Sequence, residues 1–412
     1  MIEPVSLFST KKERLAAVLI MAAMLSLSLF QKFLAYQKLI KSRYYHTSAK
    51  VLNQYKKKDR WVLKLKTPHF SFYTTSKEDL ADLRDRDVEV MLIRTKRKID
   101  FFDFVKGFYV FSYIKRVLPK DRRYKLKEYI ASQHDEVGAK ELFGALFLAT
   151  SISKEVRDQL SALGLSHLVA ISGFHLGIIL TISSLLLYWM AYPIWQRFVP
   201  FLHLRRFAVY GSFGIAFGYL LFVGIVPSLL RAFVLSFVGF LLFERHIRLL
   251  SFELLFWVVA LILAFFPELF FSVGFWFSVA GVFCIYLFLY HFSYYPLWIK
   301  IVLLNCWVYF LMIPVVHLVF DVWSPWQLLS PIISMFFVLF YPVAIVLHLV
   351  GIGGLLDSVV DFLDMDFTTI HFKTPLWFFL PFVALLVGSI YKHRLIFAAL
   401  LFEIAWLVYE IA

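Results

Sequence analysis

After residue 168 the chain is a succession of apolar runs, each near the length that crosses a lipid bilayer, separated by brief polar interruptions. A helix rises about 1.5 Å per residue and the hydrocarbon layer is about 30 Å thick, so about 20 apolar residues span it. Runs fall near 168–194, 207–226, 228–243, 249–266, 269–291, 301–320, 328–350, 376–390 and 395–410. An earlier run, Leu15–Phe30, follows Lys11, Lys12 and Arg14 and lacks a convincing small-residue cleavage site, which predicts a retained anchor rather than a removed signal. The expected fold class is a polytopic α-helical membrane protein with about ten membrane segments. A composition of 61% hydrophobic and 19% aromatic residues against 17% charged excludes a single water-soluble globule of 412 residues.

The net charge of +14 is concentrated, because residues 41–135 carry 24 Lys/Arg against 12 Asp/Glu and contain no membrane-length apolar run. There the apolar residues nearly alternate, as in WVLKLKT (61–67), HFSFYTT (69–75) and DVEVMLIRT (87–95). With YHTSAKVLNQY (45–55) and FFDFVKGFYVFSY (101–113) these predict about five short strands. Five strands fit a small closed β-barrel of the oligonucleotide-binding (OB) type, and equally any small β-domain on the outer face of a membrane protein. Cys284 and Cys306, the two cysteines, lie in apolar runs, so the β-domain has no disulfide.

The resulting domain plan has an N-terminal membrane anchor (1–40), a basic OB-like β-domain (41–120), an amphipathic helical segment (121–165), a transmembrane core (166–350), and an amphipathic segment with C-terminal membrane helices (351–412). Segment 121–165 would lie along the bilayer surface, pack on the core, or serve as a soluble linker. The basic loops QRFVPFLHLRR (196–206), ERHIR (244–248) and Lys300 belong in the cytoplasm by the positive-inside rule, as does the N-terminus, which puts the β-domain outside. The alternation fails after residue 350, where acidic 351–375 would fall inside and YKHR (391–394) outside. A re-entrant or half-span element somewhere after residue 266 would repair it.

Polar groups interrupt the apolar helices at few places. GLSHLVAISGFHLG (164–177) puts Ser-His and Ser-Gly-x-His at a helix entry, with His167 and His175 about two turns apart on nearly one face. Such groups at membrane depth face either a wet path or a hydrogen-bonding partner on a neighbouring helix, and both readings stay open. Gly173 permits close helix approach or a local break. Arg231, in VGIVPSLLRAFVLSF (223–237), either snorkels to the surface or lines an entrance and holds the phosphates of a polyanion. Glu268 follows Pro267, and Gly274 and Gly281 share a helix face.

These residues resemble the ComEC-type competence DNA channel family. Residues 164–177 are similar to its Gly-x-x-His-Leu-x-Ala-x-Ser-Gly-x-His signature. PSLLRA (227–232), FFPELFFSVGFWFSVAG (265–281) and LMIPVVHLVFDVWSPWQLLSPIISM (311–335) follow in the family's order, so the likeness covers about 120–350. The resemblance implies an inner-membrane channel that passes single-stranded DNA into the cytoplasm during natural transformation, in a bacterial multi-pass inner-membrane protein. It assigns His167, Ser172, Gly173, His175 and Arg231 to the DNA path. On the β-domain, Lys56, Lys57, Lys58, Arg60, Trp61 and Lys64 would hold the strand, with Trp61 as an exposed stacking platform and most of Phe70, Phe72 and Tyr73 in the core.

Two departures stand out: Trp276 replaces a polar residue in GFWFSV, and the C-terminal metallo-β-lactamase-like domain of longer members is absent. No two histidines are closer than eight residues, so a His-x-His metal motif is excluded, and there is no P-loop. The expected partners are therefore a DNA receptor, a cytoplasmic ATP-driven motor or helicase, a separate nuclease and, as an open option, further copies of the chain. No cofactor, metal or catalytic residue is expected. Two rivals remain: an intramembrane hydrolase using Ser172 with His175 or His167 as base, and a small-solute secondary transporter with broken helices.

Overall fold

The computed structural model describes residues 10–77, 82–93, 99–199, 201, 203–244, 251–365 and 367–411. Helix α1 (Lys11–Lys41) starts at a reciprocal cap, in which Glu13 N–H donates to Thr10 Oγ1 and Thr10 N–H to Glu13 Oε2, both at 3.2 Å. At 31 residues it is about 46 Å long, more than a bilayer core needs. Its last turns leave the apolar layer and pack Ala35, Tyr36 and Leu39 into the core of the sheet domain, where Tyr36 Oη donates to the Ile99 carbonyl at 2.9 Å.

That domain contains β1 (Tyr44–Lys57), β2 (Arg60–Lys66), β3 (Ser71–Ser76), β4 (Asp87–Ile93), the short helix α2 (Phe101–Lys106), β5 (Phe108–Tyr109) and β6 (Phe111–Val117). The strand order is β5-β3-β2-β1-β4-β6, antiparallel except for β3 with β5. The alternation seen in the sequence places Leu63, Leu65, Phe72, Val88, Val90 and Leu92 inside, and Phe104 of α2 closes that core against Phe70. The expected closed barrel does not form. β5 meets β3 over two residue pairs, and the ladder stops because Ser112 N–H donates to the Thr74 hydroxyl at 3.1 Å instead of a β3 carbonyl. From there β6 follows β4, leaving an open sheet.

Charged contacts join the sheet to the helices that follow, α3 (Arg122–Ala131), α4 (Val137–Leu148), α5 (Lys154–Ala162) and α6 (Ser166–Val169). Asp85 receives Lys127 at 2.9 Å and Arg123 at 3.8 Å, while Arg84 bridges Asp82 at 2.7 Å and Glu141 at 2.9 Å. Burial raises the Asp82 carboxyl, but hydrogen bonds from the Arg84 side chain and backbone outweigh it and hold the group below its ordinary range. Arg123 also donates from Nε (3.1 Å) and Nη2 (2.6 Å) to the Leu148 carbonyl, a cation placed on the C-terminal end of α4. The 121–165 segment is thus a set of short helices packed on the core, with Leu142, Phe143, Leu146 and Leu160 turned inward.

The rest is α7 (Gly173–Phe198), α8 (Leu204–Val223), α9 (Pro227–Glu244), α10 (Phe252–Phe265), α11 (Val273–His291), α12 (Leu297–Val316), β7 (Val322–Trp323), α13 (Ser330–Val350), α14 (Asp357–Val360), β8 (Ile370–His371), α15 (Leu376–Gly388) and α16 (Arg394–Ile411). Seven helices among the described residues are long and apolar enough to cross a membrane: α1, α7, α8, α9, α11, α12 and the run Pro325–Val350 containing α13. α10 and α15 are apolar but shorter, so length and composition do not reach the count of ten drawn from the sequence.

Two contacts order the C-terminal part. β7 pairs antiparallel with β8, and Thr374 N–H donates to the His317 carbonyl at 3.0 Å, so the chain that leaves the end of α12 returns to that same end. At the opposite end, His393 lies 2.6 Å from His291, between the α15–α16 turn and the end of α11. Between residues 324 and 369 there is one long helix, α13, and its C-terminal end is bound by Tyr129 and Gln133 at the tip of the α3–α4 hairpin.

Candidate functional site

The start of α7 is built by its own sequence. Ser172 is the N-cap, accepting from Phe174 N–H at 3.3 Å, and His175 completes the cap by accepting Ser172 N–H on Nδ1 at 3.1 Å. An amide N–H only donates, so Nδ1 is the bare nitrogen and Nε2 carries the hydrogen. That Nε2–H is buried without a hydrogen-bond partner, and His175 is 0% exposed. Rings surround it: Tyr341 stands edge-on at 4.5 Å, with Phe174 and Phe337 at 5.8 Å. Gly173 is exposed, and a Cβ there would sit 3.4 Å from Ala232, in ordinary contact with α9.

His167 is separate from this cap. It is exposed, and it bonds the Gly164 carbonyl through Nδ1 (2.9 Å) and Ser334 Oγ through Nε2 (3.2 Å). Gly164 needs its glycine, with φ +67° and the side chains of Gln327 and Ser330 against it. Ser330 Oγ donates to the Gly164 carbonyl at 2.9 Å, and Gln327 Nε2 donates to the Ser161 carbonyl at 2.9 Å. The first half of the 164–177 segment therefore seats the beginning of α13, and the second half lies under its middle. Sequence reasoning passed over Gln327, Ser330 and Ser334, although they stand in the apolar 311–335 stretch and a polar residue in such a run is the available signal.

Arg231 on α9 is 4% exposed and does not reach the surface. Its Nε donates to Ser278 Oγ of α11 at 2.8 Å, and Nη2 contacts the same oxygen. Among the described residues no carboxylate lies within ion-pair distance of it. One hydroxyl thus serves a guanidinium with five N–H donors. Trp276 is half out of the bundle and spends its indole N–H on the Phe270 carbonyl at 2.7 Å, so Ser278, two positions on, supplies the polar contact to α9. Ser228 Oγ donates to the Ile171 carbonyl, which ties the first turn of α9 to the loop before α7. The structure brings Ser172, Gly173, Arg231 and Ser278 into one packed region of α7, α9 and α11, and puts His167 on the α13 side.

Catalytic use of Ser172 needs a base with a free nitrogen and a group to orient it. Ser172 Oγ lies 3.1 Å from His175 Nδ1, but that nitrogen is held by a backbone N–H, Nε2 faces rings, and no carboxylate follows. No group of three His, Cys, Asp or Glu side chains among the described residues is arranged to hold a metal.

On the sheet domain, Lys56, Lys57, Lys58 and Arg60 are exposed at the β1–β2 hairpin, where Lys58 takes φ +53°. Lys64 lies over the Tyr73 ring at 5.4 Å. Trp61 is half-buried and packs against the core, so it is a poor platform. The exposed aromatics are elsewhere: register places Tyr44, Ile93 and Phe111 in one row across β1, β4 and β6, and His46, Met91 and Tyr113 in the next. Tyr44, Phe111 and Tyr113 are 51%, 47% and 58% exposed, and the Arg43 guanidinium lies over Tyr44 at 5.7 Å.

A family model described as Competence protein matches residues 148–410, from the end of α4 to the last turn of α16. Neither a curated protein sequence nor a solved structure matches the chain.

Proposed function

The chain belongs to the competence protein family, which ties it to DNA uptake, and from that premise we propose that it conducts single-stranded DNA across the cytoplasmic membrane. The observation that carries the reading is Arg231, a cation buried in an apolar bundle whose one hydrogen-bond acceptor among the described residues is the Ser278 hydroxyl. A cation at the centre of a membrane helix costs about 2.5–3.5 kcal/mol and Arg231, in the second turn of α9, costs less, but its burial among apolar side chains still calls for a reason. Phosphate oxygens passing between α7, α9 and α11 would give the spare N–H groups the acceptors they lack.

The order of the helices supports an orientation. With the N-terminus inside, α1 carries the sheet domain outward, and α7 to α12 alternate so that the basic sequences 197–206, 245–248 and Lys300 lie inside. The excursion 324–369 leaves from and returns to the outer side, because its far end is bound to the α3–α4 hairpin. α3 carries Arg122, Arg123, Lys125, Lys127 and Glu128 and cannot lie within lipid. α13, held at both ends by the 121–165 helices, then stays on the outer side instead of crossing, and α15 returns the basic 391–394 turn to the cytoplasm beside His291. The membrane is crossed nine times.

In this conformation Phe337 and Tyr341 of α13 cover His175, so a strand passes only when α13 moves. The exposed aromatic rows and hairpin cations of the sheet domain suit a strand held by stacking and phosphate contacts before it enters. The reading leaves the pulling force to another protein, since this sequence holds no P-loop. The test is uptake of labelled DNA in cells carrying Arg231→Ala or, separately, His175→Ala. Internalisation falls while DNA captured at the surface stays at the wild-type level; normal internalisation in both variants refutes the proposal.

A further inference from the structure

At the C-terminal end of α13, His134 of the α3–α4 hairpin joins His348 and Asp357 in a chain of hydrogen bonds. Asp357 Oδ1 lies 2.5 Å from His134 Nδ1, His134 Nε2 lies 2.9 Å from His348 Nε2, and His348 Nδ1 lies 2.7 Å from the Ala344 carbonyl. Both imidazoles are buried; Phe143 stacks on His134 at 4.6 Å between centroids and meets His348 tilted at the same distance. The backbone around them is tied as well. Gln133 Nε2 and Tyr129 Oη donate to the His348 carbonyl at 3.1 and 3.4 Å, and Gly353 N–H donates to Gln133 Oε1 at 2.9 Å.

Counting hydrogens decides what this arrangement is. The Ala344 carbonyl only accepts, so His348 Nδ1 must carry hydrogen, and the contact between the two Nε2 atoms needs one hydrogen. The contact with Asp357 needs one more, on either the carboxyl or His134 Nδ1. Three hydrogens are required, and two neutral imidazoles beside a carboxylate supply two. The network therefore closes when it holds one additional proton, and it is then electrically neutral as a whole, as a buried site must be.

We infer that Asp357, His134 and His348 form a proton-binding site that locks the tip of the α3–α4 hairpin to the end of α13 and releases it when the proton leaves. Losing the proton leaves a net negative charge in a buried place and one of the three contacts with no hydrogen in it. The other titratable groups near it are few. Asp135, in the same turn, gives its N–H to Asp357 Oδ2 at 3.3 Å; Lys140 of α4 is held on the Asp135 carbonyl at 3.0 Å; Tyr129 faces from α3; Tyr341 lies two turns back along α13; and Asp361, beyond α14, is exposed. The helix being locked is the one that covers His175, so release frees the cover over the start of α7. That consequence rests on the conduit reading, whereas the lock itself does not.

The test is a distance, measured on the full chain in lipid nanodiscs with spin labels at Val137→Cys and Leu355→Cys, positions 70% and 68% exposed, in a background where Cys306 is Ala and Cys284 is left buried. Near pH 6 the pair gives one narrow distance. As the pH is raised past the ordinary imidazole range of about 6.5, a longer-distance population grows with the steepness of a single proton. Asp357→Asn keeps the narrow distance throughout, because its amide donates to His134 Nδ1 and closes the same three bonds with the two imidazole protons alone. His348→Ala shows the longer distance at every pH. A wild-type distribution that ignores pH, or an Asp357→Asn distribution that titrates as the wild type does, overturns the inference, and neither outcome depends on whether DNA passes.

Discussion

Replacing Arg231 with Leu separates a structural arginine from a functional one, because the two roles predict different losses of stability. The variant loses the charge-assisted bonds to Ser278, worth about 1.5–3 kcal/mol, and is relieved of the cost of holding a cation in an apolar bundle, at most about 2.5–3.5 kcal/mol because Arg231 lies in the second turn of α9 rather than at its centre. These offset one another, so the variant unfolds within about 3 kcal/mol of the wild type. Were Arg231 part of a buried ion pair, breaking it would cost about 3–5 kcal/mol. Uptake moves differently: losing one guanidinium–phosphate contact of about 1.5–3 kcal/mol slows internalisation about 10- to 100-fold. Thermal unfolding of the purified protein in detergent gives the first quantity and the appearance of labelled DNA in the cytoplasm gives the second. A Leu variant destabilised by more than about 3 kcal/mol, or one that takes up DNA at the wild-type rate, refutes the reasoning.

Ser172→Ala removes the cap on α7 and costs about 1 kcal/mol, with uptake reduced less than tenfold in the same assay; complete loss of function at unchanged stability would revive a nucleophilic serine. Gly354→Ala puts a Cβ 2.5 Å from the Gln133 carbonyl oxygen and lowers thermal stability by about 1–3 kcal/mol by forcing the hairpin tip away from α13. Phe111→Ala with Tyr113→Ala weakens binding of a single-stranded oligonucleotide by about 1–3 kcal/mol per ring, read by fluorescence anisotropy, and leaves the sheet folded because both rings are exposed. Trp61→Ala, by contrast, lowers the stability of the sheet, because that ring packs on the core.

Local pattern accounts for what the sequence made readable. The long N-terminal helix, the alternating strands and the Ser-Gly-x-His entry of α7 all depend on residues a few positions apart, and each is where the periodicity and capping rules put it. The barrel was misjudged because closure depends on one backbone N–H, that of Ser112, choosing a threonine hydroxyl over a carbonyl. α13 reads as a crossing from its composition, and only the β7–β8 pairing and the hairpin at its far end reveal that the chain returns to where it left. The same distance hid the His134, His348 and Asp357 network, since His134 lies more than 200 positions before the other two. Arg231 was visible as an anomaly, but its partner was not, since attention to Trp276 obscured Ser278 on the same helix.

A DNA strand stalled in transit by a bulky group at its trailing end offers the most direct measurement. With a photo-cross-linking side chain placed in turn at Gly173, Ala232 and Val279, in the α7, α9 and α11 region, and at Trp298, exposed at the cytoplasmic end of α12, the strand labels the first three positions and spares the fourth. Labelling confined to the sheet domain, or equal at all four membrane positions, would mean that the buried arginine and its neighbours border no route for DNA.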